Sequence, residues 1–205
     1  NDPNNSFAVM AKAHNWVQYT LDLPMGSEPG TVFNYNSGAT LILGHIFRLA
    51  TGTDIEEYAV EHLFTPLGID DYYWDRTPYG LTDTQEGLYI SARSLAKIAQ
   101  LFLQKGRWQD EQVIPAAWVE ESTAPLYPTG NSDDEAYGYL WWSQPYTFKG
   151  KTVRAHFGKG FGGQRPIFLP DLNMVIVLTA WNILPGQPFL HAMKAVERVT
   201  AAVIE

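Results

Sequence analysis

The sequence predicts an α+β fold, and three observations carry that expectation. Segments with helical periodicity occupy residues 1–130. Four segments rich in β-branched and aromatic residues, separated by turn residues, follow between 137 and 182. An amphipathic stretch closes the chain at 186–205. Helices and strands segregated along a chain point to α+β rather than to alternating α/β units. Residues 1–130 are therefore expected to supply part of a helical subdomain. Residues 131–205 supply the antiparallel sheet strands and their closing helix, and the two parts pack as one structural domain.

Residues 7–20, FAVMAKAHNWVQYT, suggest a helix ended by LDLPMGSEPG with its two prolines and two glycines. Ser37 or Gly38 would open the next helix. Its Leu41, Ile42, Ile46 and Leu49 recur at helical spacing, and Gly52 follows its end. Residues 54–64 form a third, with Thr53 or Asp54 as cap and acids in the first turn. The turn-rich, aromatic TPLGIDDYYWDRTPYG reads as a surface loop. A helix at 92–104 is stopped by Gly106, and Pro115 opens the short helix PAAWVEES. YGYLWWSQ (137–144), KTVRAHF (151–157), QRPIFLP (164–170) and NMVIVLTAWN (173–182) read as strands. In the closing helix Leu190, Met193, Val196, Val199 and Val203 share one stripe.

The 205 residues are 45% hydrophobic and 18% charged, which implies a packed core. A net charge of −8 with no basic patch argues against nucleic acid as a partner. No apolar run reaches the ~20 residues of a membrane span. The absence of cysteine excludes disulfides and thiolate chemistry and leaves the compartment open. The opening NDPNNSF carries no signal-like apolar run and reads like the middle of a longer protein. Its Asn4-Asn5-Ser6 matches a glycosylation acceptor, a triplet common by chance.

Ser94-Leu95-Ala96-Lys97 is a Ser-x-x-Lys, the spacing at which a helical lysine can take a serine's proton. Helical projection gathers Leu95, Ile98, Ala99 and Phe102 on one side and Lys97, Gln100 and Gln104 opposite. Lys97 and Ser94 are expected to face water, where the lysine lacks the burial that would lower its pKa. With Ser91 as the better N-cap, Ser94 reads as an ordinary first-turn residue. GKGFGG (158–163) fits G-x-G-x-x-G, but strand-type residues follow it instead of a helix, so it reads as a turn and not a dinucleotide cradle. The five histidines show no metal-ligand spacing, and there is no G-x-S-x-G elbow.

The segment PGTVFNYNSGATLILGHIFRLATGTDIEEYAVEHLFTPLGI, residues 29–69, resembles a block of the penicillin-recognising, β-lactamase-like serine hydrolases. That group takes in class C β-lactamases, D-alanyl-D-alanine carboxypeptidases, esterases and 6-aminohexanoate-dimer hydrolases. SARSLAKIAQLFLQKGRW is similar to a helix of the same family in which Ser94 stands where an aspartate is usual. YGYLWW and HFGKGFGGQRPIFLPDLNMVIVLTAWN resemble its final strands. The matches run in family order from about residue 14 to the end of the chain.

The resemblance implies a β-lactamase/transpeptidase-like fold and an acyl-serine mechanism on small esters or amides, without a cofactor. Tyr35 matches the tyrosine of the family's Tyr-x-Asn and would shuttle a proton to the leaving group. Asn36 takes the middle position and Ser37 the third, a departure that leans away from β-lactams and toward the esterase or amide-hydrolase branch. His156-Phe157-Gly158 fits the family's His-x-Gly triplet. An alignment one step later puts Lys159-Gly160 nearest the substrate. Either way this strand would offer backbone groups to substrate, including one oxyanion N–H. The family's nucleophilic Ser-x-x-Lys is expected upstream of residue 1, which would make a preceding segment of the same protein a partner of this chain. The resemblance is compatible with a periplasmic or secreted location. The contrasting reading is a non-catalytic homologue that keeps the fold as a binding or scaffold module.

Overall fold

A computed structural model describes residues 6–131, 134–183 and 192–202. The chain divides into two compact units, Asn1–Ser91 and Ala92–Glu205. The sequon Asn4-Asn5-Ser6 and the helix positions Leu190 and Val203 lie outside the described residues or on their border, as does the side chain of Met193.

The first unit holds α1 (Ser6–Met10), α2 (Trp16–Leu21), α3 (Ser37–Thr51) and α4 (Ile55–Ala59), the last continuing into a π-helical turn, Val60–Phe64. The helix expected over 7–20 is thus two. Asn15 has an extended backbone (φ −122°), and its side chain accepts from Gln18 N at 3.1 Å. An asparagine that caps starts a helix instead of continuing one. α3 begins and ends as its residues dictate: Asn36 caps it, and Gly52 closes it at φ 74°. Its stripe is narrower than expected. Leu41 is buried with Met10 and Val17, whereas Leu49 is 73% exposed and Ile46 is also exposed. α2 lies so close that a Cβ on Gly38 would come within 2.5 Å of the Thr20 side chain. The stretch expected as a surface loop contains β1 (Tyr72–Trp74), which pairs antiparallel with β2 (Leu88–Ile90). Arg76 ties it to α4 by meeting Asp54 at 3.1 Å and pairing with Glu56.

The second unit holds α5 (Ala92–Leu103), the small ladder β3 (Arg107–Trp108) and β4 (Glu111–Gln112), and α6 (Ala116–Thr123). β5 (Tyr127–Pro128), β6 (Ala136–Tyr137), β7 (Trp142–Phe148), β8 (Lys151–Phe157), β9 (Arg165–Leu169), β10 (Met174–Leu178) and α7 (Ala192–Ala202) complete it. β5 to β10 form one antiparallel sheet in sequence order. The strand expected over 137–144 is interrupted by a turn. Gly138 N donates to Trp141 O at 2.8 Å, and Leu140 sits at φ 65°. A Cβ on Gly138 would meet Ser122 O at 2.3 Å, so only glycine lets this turn close on the end of α6.

Burial alternates along β8: Val153, Ala155 and Phe157 are buried on one face. Trp142, Tyr146 and Ile167 join them in register. α7 closes that face, its Thr200 Oγ1 lying 2.7 Å from Tyr146 Oη. The α7 residues that bury are Ala195, Val196 and Thr200, whereas Val199 of the expected stripe is 41% exposed. A threonine can hold a core position here because its hydroxyl is spent on Tyr146 and on the carbonyl of Val196. The opposite face carries His156 and Phe168, and α5 packs there through Phe102, whose ring lies 6.1 Å from that of Phe168.

α5 corrects one expectation. Ser94 is 4% exposed and turns inward with Ala99 and Leu101, instead of facing water. The buried arc is wide because the helix lies across two strands, β9 and β10. Lys97 is partly buried.

Candidate functional site

Two stretches carry the residues singled out by sequence, one in each unit. In the first unit, Tyr35 immediately precedes the cap of α3 and is 55% exposed. Asn36 has its side chain committed: Oδ1 accepts from Gly38 N at 2.9 Å, satisfying one of the helix's orphan donors. The inversion from Tyr-x-Asn to Tyr-Asn-Ser therefore has a local consequence. The amide beside Tyr35 starts a helix, and Ser37 occupies the first helical position.

In the second unit, β8 leads from His156 into the glycine-rich turn toward β9. His156 is mostly buried and stacks on Phe168, the rings 4.9 Å apart and 17° from parallel. Burial, then the Arg154 charge, pushes its pKa down to about 4, against the opposing pull of the Thr123 carbonyl and Asp171. It is a neutral imidazole at pH 7, whose Nδ1 finds no partner among the described residues.

Gly158 N donates to Pro166 O at 3.1 Å and Gly160 N to Gln164 O at 2.8 Å, so both amides point inward to β9. The Lys159 amide lies between them and, by strand alternation, points to the other edge. β7 pairs with β8 only as far as Trp142 opposite Phe157. Among the described residues no acceptor takes the Lys159 N–H. The Lys159 side chain is committed elsewhere: Nζ reaches Glu135 Oε2 at 2.6 Å and lies 3.6 Å from the Trp142 ring centroid. Thr129 Oγ1 (2.8 Å) and Asn131 Nδ2 (3.1 Å) donate to the other carboxylate oxygen. Burial pulls the Glu135 carboxyl up, but the bonds from Lys159, Thr129 and Asn131 outweigh it and hold the carboxyl below its ordinary range. Burial draws the Lys159 ammonium down in spite of Glu135. The carboxylate's direction describes the pair, because three donors converge on it.

Sequence reading did not find Glu135 or Trp142 as neighbours of this turn, nor Phe161 and Trp181 at its tip. Only the pairing of β7 with β8 brings Trp142 to Lys159. A sequence profile of the family described as Beta-lactamase matches residues 1–201. The chain belongs to the β-lactamase family. Solved structures place this family member among its relatives. A structure assigned as a 6-aminohexanoate-dimer hydrolase from Bacillus anthracis superposes with a TM-score of 0.77 at 26% identity, covering 91% of this chain and 48% of that one. An octameric penicillin-binding protein homologue from Pyrococcus abyssi gives 0.68 at 21% identity, covering 96% and 51%. A penicillin-binding protein from Bacillus halodurans gives 0.64 at 17% identity, covering 86% and 59%. The likenesses below a quarter identity show the fold, the α+β arrangement of helices and antiparallel sheet. This β-lactamase-family chain spans about half the length of the first two structures it matches. No curated protein sequence matches it.

Proposed function

We propose that the protein containing this chain is a serine hydrolase acting through an acyl-enzyme on small esters or amides. The observation that carries the reading is the end of β8. There the Gly158 and Gly160 amides are spent inward, and the Lys159 N–H is left on an edge that β7 does not cover. A preorganised amide in that position suits a carbonyl oxygen that becomes an oxyanion. Family membership and the exposed Tyr35 support the same reading. In the proposed reaction a serine from a segment preceding this chain attacks the carbonyl carbon and gives up its proton. The C–O or C–N bond breaks, with Tyr35 relaying a proton to the departing alcohol or amine. Water then attacks the acyl carbon and releases the acid and the serine. His156, Gly158, Lys159 and Gly160 serve here through backbone and shape, because the Lys159 ammonium is held by Glu135 and His156 is neutral. Asn36 and Ser37 position Tyr35 through the start of α3.

The test is labelling of the complete gene product with a fluorophosphonate, followed by peptide mapping. The expected result is one adduct on a serine outside these 205 residues, formed more slowly in Tyr35→Phe, which also turns over a p-nitrophenyl ester more slowly. Absence of any adduct would overturn the hydrolase reading in favour of a non-catalytic binding or scaffold module, which the commitment of Asn36 to its cap also fits.

A further inference from the structure

Past Phe157 the chain of β8 loses its neighbour on one side. β7 begins at Trp142, opposite Phe157, and the residues before it turn at Gly138 onto the end of α6. Among the described residues, the backbone N–H bonds of Gly158-Lys159-Gly160 run only toward β9: Gly158 N to Pro166 O at 3.1 Å and Gly160 N to Gln164 O at 2.8 Å. That closeness requires both glycines. A Cβ on Gly158 would come within 3.2 Å of the Pro166 ring, and one on Gly160 within 2.9 Å of Gln164. Glycine on either side also loosens the peptide between them, whereas an amide that stabilises a developing charge works best when it is already in place.

Lys159 carries the one side chain of this segment, and it restrains the segment from the β7 side. Its Nζ lies 2.6 Å from Glu135 Oε2 and 3.6 Å from the Trp142 ring centroid. Both partners are fixed. Trp142 is paired with Tyr137 of β6 and Phe157 of β8. Glu135 stands immediately before β6, its side chain 5% exposed, and its carbonyl accepts from Thr129 N at 3.0 Å. Its Oε1 accepts from Thr129 Oγ1 at 2.8 Å and from Asn131 Nδ2 at 3.1 Å. A carboxylate with both oxygens engaged and its backbone in a ladder cannot follow a moving lysine, so the lysine is held to it.

We propose that Glu135 is a positioning residue of the site: by holding the Lys159 side chain it fixes the Gly158–Lys159 peptide plane and so the direction of the Lys159 N–H. The consequence for catalysis rests on the hydrolase reading above, in which that N–H meets the oxyanion. Glu135 touches no reacting atom; its effect passes along the lysine stem to the backbone. Losing one oxyanion donor outright costs about 100- to 1000-fold in kcat, so loosening a donor that stays present is expected to cost about tenfold.

The test uses the complete gene product carrying Glu135→Gln or Lys159→Met, at a temperature where each variant is folded. Lys159→Met keeps an apolar stem over Trp142 and cannot pair with Glu135. Lys159→Arg, which still can, is the conservative variant. The first readout is the ratio of kcat/KM for p-nitrophenyl acetate to that for its thiono analogue, in which sulfur replaces the carbonyl oxygen. Sulfur accepts N–H bonds poorly, so the ratio reports the oxyanion contact, and any loss of folded protein cancels from it. The ratio is expected to fall about tenfold in Glu135→Gln and Lys159→Met and to stay near wild type in Lys159→Arg. An unchanged ratio in the first two overturns the positioning role and leaves the hydrolase standing. The second readout, NMR relaxation of the Lys159 backbone amide nitrogen, needs no turnover. An order parameter of about 0.85 in the wild type, falling below about 0.6 in Glu135→Gln and Lys159→Met, is the expected result. Equal values overturn the clamp whatever the kinetics. Loss of order in a protein that hydrolyses neither ester keeps the clamp and removes both the hydrolase and the catalytic role of Glu135.

Discussion

The ammonium of Lys159 sits between a buried carboxylate and an indole: 2.6 Å from Glu135 Oε2 and 3.6 Å from the Trp142 ring centroid. One side chain thereby ties the glycine-rich turn to β7 and to the segment before β6. Replacing Glu135 by Gln leaves the cation with a weaker partner, since a buried charge loses its counter-ion. The expected cost is about 2 kcal/mol, or a Tm lower by roughly 4–8 °C for a chain of this size. Thermal unfolding by circular dichroism measures it, and a Tm within a degree of wild type would show that the pair contributes nothing.

The same carboxylate sets an acid limit. Its folded pKa is lowered, so its stabilisation is fully present above the unfolded value near 4.5 and is lost as pH falls through the folded one. His156 acts in an adjoining window. Its pKa falls from 6.5 to about 4 on folding, so the unfolded chain takes up a proton there that the folded chain refuses. Stability should decline by about 3 kcal/mol from pH 6.5 down to 4. His156→Phe, which keeps the stack on Phe168 and cannot titrate, should flatten that slope in urea melts. A slope equal to wild type would place the titration elsewhere.

Asn36 offers a separation of structure from chemistry. As the cap of α3 it should contribute about 1 kcal/mol, lost in Asn36→Ala and mostly kept in Asn36→Asp. Chemical denaturation of both variants is the check. If Asn36→Asp were as unstable as the alanine variant, capping would not be its main role.

Ser94 should not react. The residue is buried, so fluorophosphonate treatment followed by peptide mapping should leave the peptide containing Ser94 unmodified. Ser94→Leu, which adds volume at a buried position, should cost about 1–3 kcal/mol by overpacking. An adduct on Ser94, or a neutral leucine, would contradict the packing described.

Legibility in the sequence followed the range of the interactions. The ends of α3 could be read because Asn36 and Gly52 act within one turn of themselves. β8, β9 and β10 could be read because their burial follows composition over a few residues. The break between α1 and α2 was missed because Asn15 looks like one polar residue in an apolar run until it caps. β1 was missed because its partner, β2, lies beyond a turn-rich stretch that dominates the local pattern. The burial of Ser94 is not legible because a small polar residue carries no hydrophobic weight in a periodicity pattern. Of the candidate site, Tyr35 and the Gly158–Gly160 turn were legible as motifs. Their partners were not: Glu135 is 24 residues from Lys159, and only sheet registry brings them together.

The sequence order of β5 to β10 has a kinetic consequence. Every strand pairs with the one synthesised just before it, so the sheet can grow as it emerges, by adding hairpins rather than by waiting for a distant segment. The natural starting point is the turn joining β7 to β8, where Lys149 (φ 46°) and Gly150 (φ 77°) carry the left-handed pair that matches strand twist. Hairpins of this type close in about 1–10 μs. The strand that leads to Lys159 would then be in register early, before α7 arrives to close the face beneath it.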